Sequence, residues 1–505
     1  MRTNRYRVWM IVAVLSGMVL QLAGCAQMPG SRQGQKAVMQ EQTDGTADMQ
    51  DKNVAAGKEE MSQNSHDGDR AKQRGKETDD AGSLKKNGQD ETNVFEENCE
   101  VILNECTGEF IGYHLIDETF LSWVAKEYGK ACIKKLAEEV QKEEQDTGLW
   151  YELTGNSIHV LWLLYCKKTG FQQYQLEHVT WQDCKDSTQT VLEFTGDINF
   201  AEGEATTRHL DQSPGGIRDC FSEDLLQEMN QADVMMINNE FTYSTRGQAL
   251  KGKAYTFRAD PSRVELLKAF GTDIVNLANN HVYDFGPDAL LDTIDTLDQA
   301  GIPHVGAGAD LNEAEEPWYF VCNGKKIAIV AATQIERSTN YTKEATENTP
   351  GVLKTLQPDK FTGVIREAER NSDYVIAFVH WGTEGDSNFG RDQQNLAEAI
   401  AGAGADAIIG GHTHCLQGFD WIGDVPVIYS LGNFWFSDRT QDTGLAKVTI
   451  DADGTLQLGF VPCIQKNLCT SLVTEPKEKQ RIFTFLQKYS ASGVTVSEDG
   501  IVEKQ

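Results

Sequence analysis

The spacing of apolar and polar positions changes several times along this chain, and each change marks a new kind of segment. Val8 to Leu20 is an apolar run behind the basic start Met1-Arg-Thr-Asn-Arg-Tyr-Arg. It is short for a stable membrane span, so the pattern predicts a signal peptide. From Ala26 to Val94 apolar periodicity vanishes and no aromatic residue occurs. Such a tract cannot bury enough apolar surface to offset its ordering entropy, which predicts a disordered tether. From Phe95 to about Thr190 apolar residues return at three- and four-residue spacing, as in Phe120-Leu-Ser-Trp-Val-Ala-Lys-Glu-Tyr and Ala131-Cys-Ile-Lys-Lys-Leu-Ala-Glu-Glu-Val. This predicts a small, mainly helical domain.

From Val191 short apolar runs alternate with amphipathic stretches. Val191-Leu-Glu-Phe-Thr, Val234-Met-Met-Ile-Asn, Ile274-Val-Asn-Leu-Ala, Ile327-Ala-Ile-Val-Ala, Tyr374-Val-Ile-Ala-Phe-Val and Ala407-Ile-Ile read as buried strands. Helices are expected at Asp224–Gln231, Pro261–Phe270, Pro287–Ala300, Pro358–Arg370 and Asp392–Ala401. Three of them begin at a proline, whose missing amide hydrogen costs nothing at a helix start. The alternation implies a layered α/β fold. The later strands lack intervening helices, so part of the sheet is expected to be antiparallel. A last helix is expected at Pro476–Tyr489. The resulting division is 1–25 leader, 26–94 tether, 95–190 helical domain, 191–470 α/β domain and 471–505 helical tail.

Chemistry collects just after the strands. Gly196-Asp197-Ile-Asn199 follows the first, Asn239-Glu240 the second and Asn279-Asn280-His281-Val-Tyr-Asp284 the third. His380-Trp-Gly follows the fifth and Gly411-His412-Thr-His414 the sixth. Each group alone is an ordinary turn. Five from six strands, all carboxylate, amide or imidazole, are not explained by turns, because carboxyl ends of parallel strands share one edge where ligands bind. Mixed oxygen and nitrogen ligands suit manganese, iron or zinc, as one or two divalent ions. The flanking glycines, Gly410 and Gly411, would let the backbone turn or be approached closely.

The order of Asn-Asn-His-x-x-Asp, His-Trp-Gly, Gly-His-x-His and Tyr429-Ser-Leu-Gly-Asn433-Phe434 resembles the CapA family, linked to poly-γ-glutamate capsule synthesis, within the calcineurin-like metallophosphatase superfamily. That resemblance implies a layered metallophosphatase-like sandwich. It also implies Asp197 and His414 on one metal, Asn280, His380 and His412 on a second, and Glu240 bridging in place of an aspartate. Asn199 stands where the broader superfamily has a histidine, which weakens one metal site. His281 would be the general acid and Asp284 would orient it. Arg246, Lys253 and Arg258 are candidates to meet an anionic substrate, with solvated loop charges the plainer reading.

Leu22-Ala-Gly-Cys25 resembles a bacterial lipobox, which implies lipidation of Cys25, anchorage in the cell membrane and an extracytoplasmic body. The formal charge of −30 argues against a general nucleic-acid binder. Eleven cysteines, irregularly spaced, define no disulfide framework. Three functions remain: a metal-dependent phosphoesterase-like hydrolase or transferase on a phosphoester or an anionic envelope polymer, a non-catalytic component that binds the polymer or the capsule synthesis machinery, and a nucleotidase or phosphodiesterase.

Overall fold

The computed structural model describes residues 87–105, 110–111, 114–141, 148–336 and 341–505. The leader, Cys25 and most of the tether lie outside these residues. A helix at Asn87–Glu105 begins inside the stretch expected to be tether, since the apolar spacing from Phe95 through Cys99 and Ile102 propagates backwards into the polar residues before it.

Helices Glu118–Tyr128, Lys130–Glu139 and Ile158–Thr169 enclose an aromatic cluster of Phe120, Trp162 and Tyr165. The Asp117 carboxylate caps the first by accepting from Phe120 N–H at 2.8 Å. Val160 and Leu163 pack on Val321 of the main body. Ser157 donates to Asp373 at 2.5 Å.

The main body is built from strands β1 (Val179–Trp181), β2 (Gln189–Ile198), β3 (Val234–Asn239), β4 (Ile274–Asn276) and β5 (His304–Val305). It continues with β6 (Trp318–Cys322), β7 (Lys325–Thr333), β8 (Tyr374–His380), β9 (Ala407–Gly411) and β10 (Phe419–Ile422). The last are β11 (Val425–Ile428), β12 (Asn433–Trp435), β13 (Gln441–Asp451), β14 (Leu456–Lys466) and β15 (Cys469–Leu472). One sheet has the order β15-β14-β13-β2-β3-β4-β5, with β12 also on β2. The other runs β10-β11-β9-β8-β7-β6-β1. The run β2 to β5 is parallel, as is β7-β8-β9-β11, while β13, β14 and β15 are antiparallel.

Alternation along the strands explains the layers. Val234 and Met236 face the interior between the sheets together with Ile327, Ile329, Ile376 and Ile409. Met235 and Ile237 face outward onto Leu225, Met229, Leu290 and Ile294 of helices Glu223–Gln231 and Pro287–Ala300. On the other sheet Ala328, Val330, Val375 and Ala377 face Phe361, Ile365, Leu396 and Ile400 of helices Pro358–Asn371 and Arg391–Ala403. These parallel strands are thus covered on both faces, giving helix, sheet, sheet and helix layers. This is the layered α/β sandwich the sequence implies. One shared sheet edge was expected, but the five site-bearing strands divide between the sheets, β2, β3 and β4 in one and β8 and β9 in the other. The two parallel runs stack face to face, so ligands meet across two rims.

Three further details differ from the sequence reading, the first being β1, which lies within the 95–190 stretch expected to be helical and instead joins the second sheet. Pro261–Phe270 is a 3₁₀ helix, with Arg263 N–H on Asp260 O and Gly271 N–H on Lys268 O. The tail carries helix Pro476–Tyr489, buried through Ile482, Phe483 and Leu486, and adds a hairpin of Val494–Val496 with Val502–Lys504.

Gly410 permits the close approach anticipated near the histidines, but to Tyr429 rather than to a ligand. A Cβ there would sit 2.0 Å from Tyr429 O and 2.5 Å from Trp381 Nε1. Gly410→Ala is expected to lower unfolding free energy by about 3 kcal/mol, because backbone cannot give way like a side chain. Gly363→Ala, in a helix with nothing within 4 Å of the new methyl, is expected to raise it by up to about 1 kcal/mol. Urea denaturation of both variants measures the contrast.

Glu193, buried in β2 opposite Lys447, supplies a pH signature. Its carboxylate lies 3.3 Å from Lys447 Nζ, which is shared with Glu228 at 2.7 Å. Burial raises its pKa to about 8, against the pull of Lys447. A carboxyl raised in the folded state contributes stability that is complete below its unfolded value and lost as pH rises through the folded one. Wild-type stability is therefore expected to fall by on the order of 3 kcal/mol between pH 4.5 and 8 through this residue. Glu193→Gln should lack that component when unfolding is followed across the range.

Candidate metal centre

The six residues read as ligands come together where the two rims meet. Asp197 ends β2, and Glu240 directly follows β3. Asn280 lies in the loop after β4, His380 ends β8, and His412 and His414 follow β9. His380 Nε2 lies 2.8 Å from Asn280 Oδ1, 3.2 Å from His412 Nδ1 and 3.3 Å from Glu240 Oε1. His414 Nδ1 lies 3.2 Å from Asp197 Oδ2. Two groups could each hold a cation: Glu240, His380 and His412, and Asp197, Glu240 and His414, with the donor atoms of each group within 4.8 Å of one another. Glu240 belongs to both.

The donor set fits a metal on physical grounds. Glu240 is fully buried, and neither of its oxygens has a hydrogen-bond partner. Leaving a buried polar group unsatisfied costs about 1–3 kcal/mol, more for a charge. Burial first, and then the Asp197 charge beside it, holds its carboxyl well above the ordinary range. Burial also takes His380 down to about 3 and His412 well below the usual imidazole range. Both rings are therefore neutral, the form that offers a lone pair to a metal. His414 moves the other way: burial would lower it, but the Asp197 carboxylate outweighs that. Asp197 is lowered in turn, as His414 and His380 overcome its own burial.

The backbone at the two histidines is strained. His412 has φ 94° and His414 φ 56°, a region that L residues other than glycine rarely occupy. Such conformations persist where surrounding structure enforces them, and they cluster at functional sites. Thr413 Oγ1, hydrogen-bonded with Ser430 Oγ at 2.8 Å, fixes the turn between them. Gly411 lies against Asp197: a Cβ added there would sit 3.1 Å from Oδ1.

His281 and Asp284 form a second, adjoining unit. His281 Nδ1 lies 2.7 Å from Asp284 Oδ2, which also accepts from Phe257 N–H at 2.7 Å. Burial lowers the His281 imidazole, and Asp284 opposes that. Asp284 Oδ1 is paired with Lys253 Nζ at 2.8 Å, and Lys253 is paired in turn with Glu336 at 2.8 Å. Lys253 also donates to the Asn280 carbonyl.

The three cationic candidates for substrate contact are placed elsewhere. Lys253 is buried inside the Asp284–Glu336 pair, neither a solvated charge nor free for a substrate. Arg246 pairs with Asp292, and Arg258 stacks on Phe285 at 4.2 Å. Asn199 does not join the ligands, because its Oδ1 accepts from Ala201 N–H at 2.8 Å. The group around Asp197 and His414 therefore holds fewer donors than that around His380.

Sequence reasoning gave no role to Asn238, Asn276 and Asn433. Asn276 donates to Asn238 at 2.8 Å, Asn238 donates to Asp197 Oδ1 at 2.6 Å, and Asn433 Oδ1 lies 2.6 Å from His414 Nδ1. The signal was present: amides inside Val-Met-Met-Ile-Asn and Ile-Val-Asn interrupt otherwise apolar buried strands.

Residues 191–438 match the family model described as bacterial capsule synthesis protein PGA_cap. This part of the chain belongs to that family. The capsule biosynthesis protein CapA of Bacillus anthracis is 34% identical over 242 residues, covering 46% of this chain and 58% of that one. The PGA biosynthesis protein CapA of Bacillus subtilis (strain 168) is 33% identical over 214 residues, 42% of this chain and 55% of that one. A probable polyglutamine synthesis accessory protein of Mycobacterium tuberculosis (strain ATCC 25618 / H37Rv) is 29% identical over 213 residues, 41% of this chain and 56% of that one. The chain thus spans little more than half the length of these relatives. All the candidate ligands, with His281 and Asp284, fall within the PGA_cap match.

Metal should stabilise the PGA_cap domain through Glu240. With Mn(II) at a hundredfold excess over its dissociation constant, wild type is expected to gain about 3 kcal/mol. Glu240→Gln should be more stable than wild type in chelator, because it removes one of two adjoining buried carboxylates, and should gain little from Mn(II). Thermal unfolding of both proteins in each buffer supplies the measurement.

Proposed function

We propose that the PGA_cap domain holds two divalent transition-metal ions and acts as a hydrolase or transferase in the synthesis of an anionic capsule or envelope polymer of the poly-γ-glutamate type. The observation that carries this reading is Glu240, buried, without a hydrogen-bond donor on either oxygen and common to both ligand groups. Asn280, His380 and His412 would hold one ion with Glu240, and Asp197 and His414 the other. When bound, two such ions polarise a phosphoryl or acyl oxygen and lower the pKa of a water.

The chain's own residues would supply position and protons. Asp284 accepts from His281 Nδ1–H, so Nε2 is the atom left to exchange a proton with a leaving oxygen. Lys253 pairs with Asp284 and ties it to the Asn280 backbone. In the same reading Cys25 is lipidated, and the body works at the outer face of the cell membrane on its tether. A second reading, a non-catalytic accessory component that binds the polymer, draws on the accessory role in the name of the mycobacterial relative and on the donor-poor side left by Asn199.

Metal content by mass spectrometry, run beside a generic phosphodiester assay, separates these readings. Wild type is expected to carry two equivalents and to turn over, and His412→Ala with His414→Ala to lose both properties. His281→Ala should keep its metal and lose about 10²- to 10⁴-fold in rate. Metal without turnover in wild type favours the accessory role, and no specific metal removes the centre altogether.

A further inference from the structure

Cys184 and Cys322 are held side by side by the strands that carry them. β1 and β6 pair in parallel with Trp181 opposite Val321, and Gln182 N–H donates to Val321 O at 3.0 Å. Beyond Cys184 the chain is held again, by Asn323 Nδ2 donating to the carbonyls of Asp186 at 2.8 Å and Gln189 at 2.9 Å. The anchors on β6 and its turn, Val321 and Asn323, flank Cys322, and their partners, Gln182 and Asp186, flank Cys184. Cys322 is fully buried in the apolar cluster between the sheets, and half-buried Cys184 packs on that same cluster. Both thiols are free, Cys184 Sγ lies 3.9 Å from the Gln182 carbonyl, and each thiol shifts the other's pKa, as neighbouring thiols do.

We propose that Cys184 and Cys322 are a disulfide-forming pair, oxidised by thiol–disulfide exchange, that crosslinks the segment entering β2 to the end of β6. The closed loop contains Asp197, Glu240, Asn280 and His281. The bond therefore pins the connector that leads from β1 into β2, the strand of Asp197, to the end of β6.

The chemistry is asymmetric. Cys184 is the more accessible sulfur, and the neighbouring Cys322 lowers its pKa while that of Cys322 is raised by Cys184 and by burial. The Cys184 thiolate attacks one sulfur of a donor disulfide, forms a mixed disulfide and expels one donor thiolate. Cys322 Sγ then attacks Cys184 Sγ and expels the second. Two electrons pass from the protein thiols to the donor, and the two protons end on the donor thiols. Secreted and envelope compartments supply such donors, and the cytosol does not. This pairing does not depend on the metal reading.

The test uses the full chain, equilibrated with oxidised glutathione, alkylated and peptide-mapped without reduction. A linked peptide containing Cys184 and Cys322, two hydrogens lighter than the sum of its parts, is expected. Wild type should then melt several degrees above Cys184→Ser, and the difference should close after reduction. Two alkylated thiols, glutathione persisting on Cys184, or Cys184 linked to another cysteine would each overturn the proposal. So would a melting difference that survives reduction, which would mark Cys184 as a packing residue only.

Discussion

Glu240 sets the terms for the rest of the structure. A side chain of its type, shut away from water with no donor on either oxygen and a second carboxylate beside it, is destabilising unless a positive charge is brought to it. The one imidazole of its ligand groups whose pKa is raised, His414, is paired with Asp197 instead. Around Glu240 stand two neutral imidazoles, an amide oxygen and Asp197, which are groups that offer electrons. The two stacked sheets serve to keep those groups in place. Each sheet is covered by helices outside and by the other sheet inside, so that the parallel rims form a rigid, dry junction.

The junction is also where backbone cost is concentrated. His412 and His414 both occupy the left-handed region, and the turn between them is held by Thr413 with Ser430. A chain free to relax would place glycine or asparagine at such positions. Glycines do occur immediately before, but Gly410 is required by the Tyr429 carbonyl and Trp381, not by a ligand. Thus tight packing of β9 against the 429–432 segment and the strain at the histidines are separate constraints that meet within a few residues.

Much of this was legible in the sequence because buried parallel strands are conspicuous: Val234-Met-Met-Ile and Tyr374-Val-Ile-Ala-Phe-Val have no other comfortable state. Polar residues directly after such runs could be placed near one edge from topology alone. What the sequence did not show was how the strands divide. Nothing in the residue pattern tells β4 from β7, so the split into two sheets, and the meeting of ligands across two rims, had to come from the structure. Lys253 was illegible for a related reason. Its partners Asp284 and Glu336 lie 31 and 83 residues away by sequence number, and a lysine in a polar loop looks solvated until its long-range neighbours are known.

The fate of that lysine bears on how an anionic chain could be received at all. The chain carries a formal charge of −30, a field that repels polyanions at long range. Of the four cationic side chains between Glu240 and Pro261, Arg246 is paired with Asp292, Lys253 with Asp284 and Glu336, and Arg258 lies over the Phe285 ring, while Lys251 is exposed. Bound cations would add attraction at the rim beyond what these side chains supply. Two divalent ions placed against Glu240 would reverse the sign of the local field where the rims meet. On this argument the ions are as necessary to a binding component as to an enzyme, and the His281–Asp284 pair is the feature that separates the two, since binding an anion gives a proton-exchanging imidazole nothing to do.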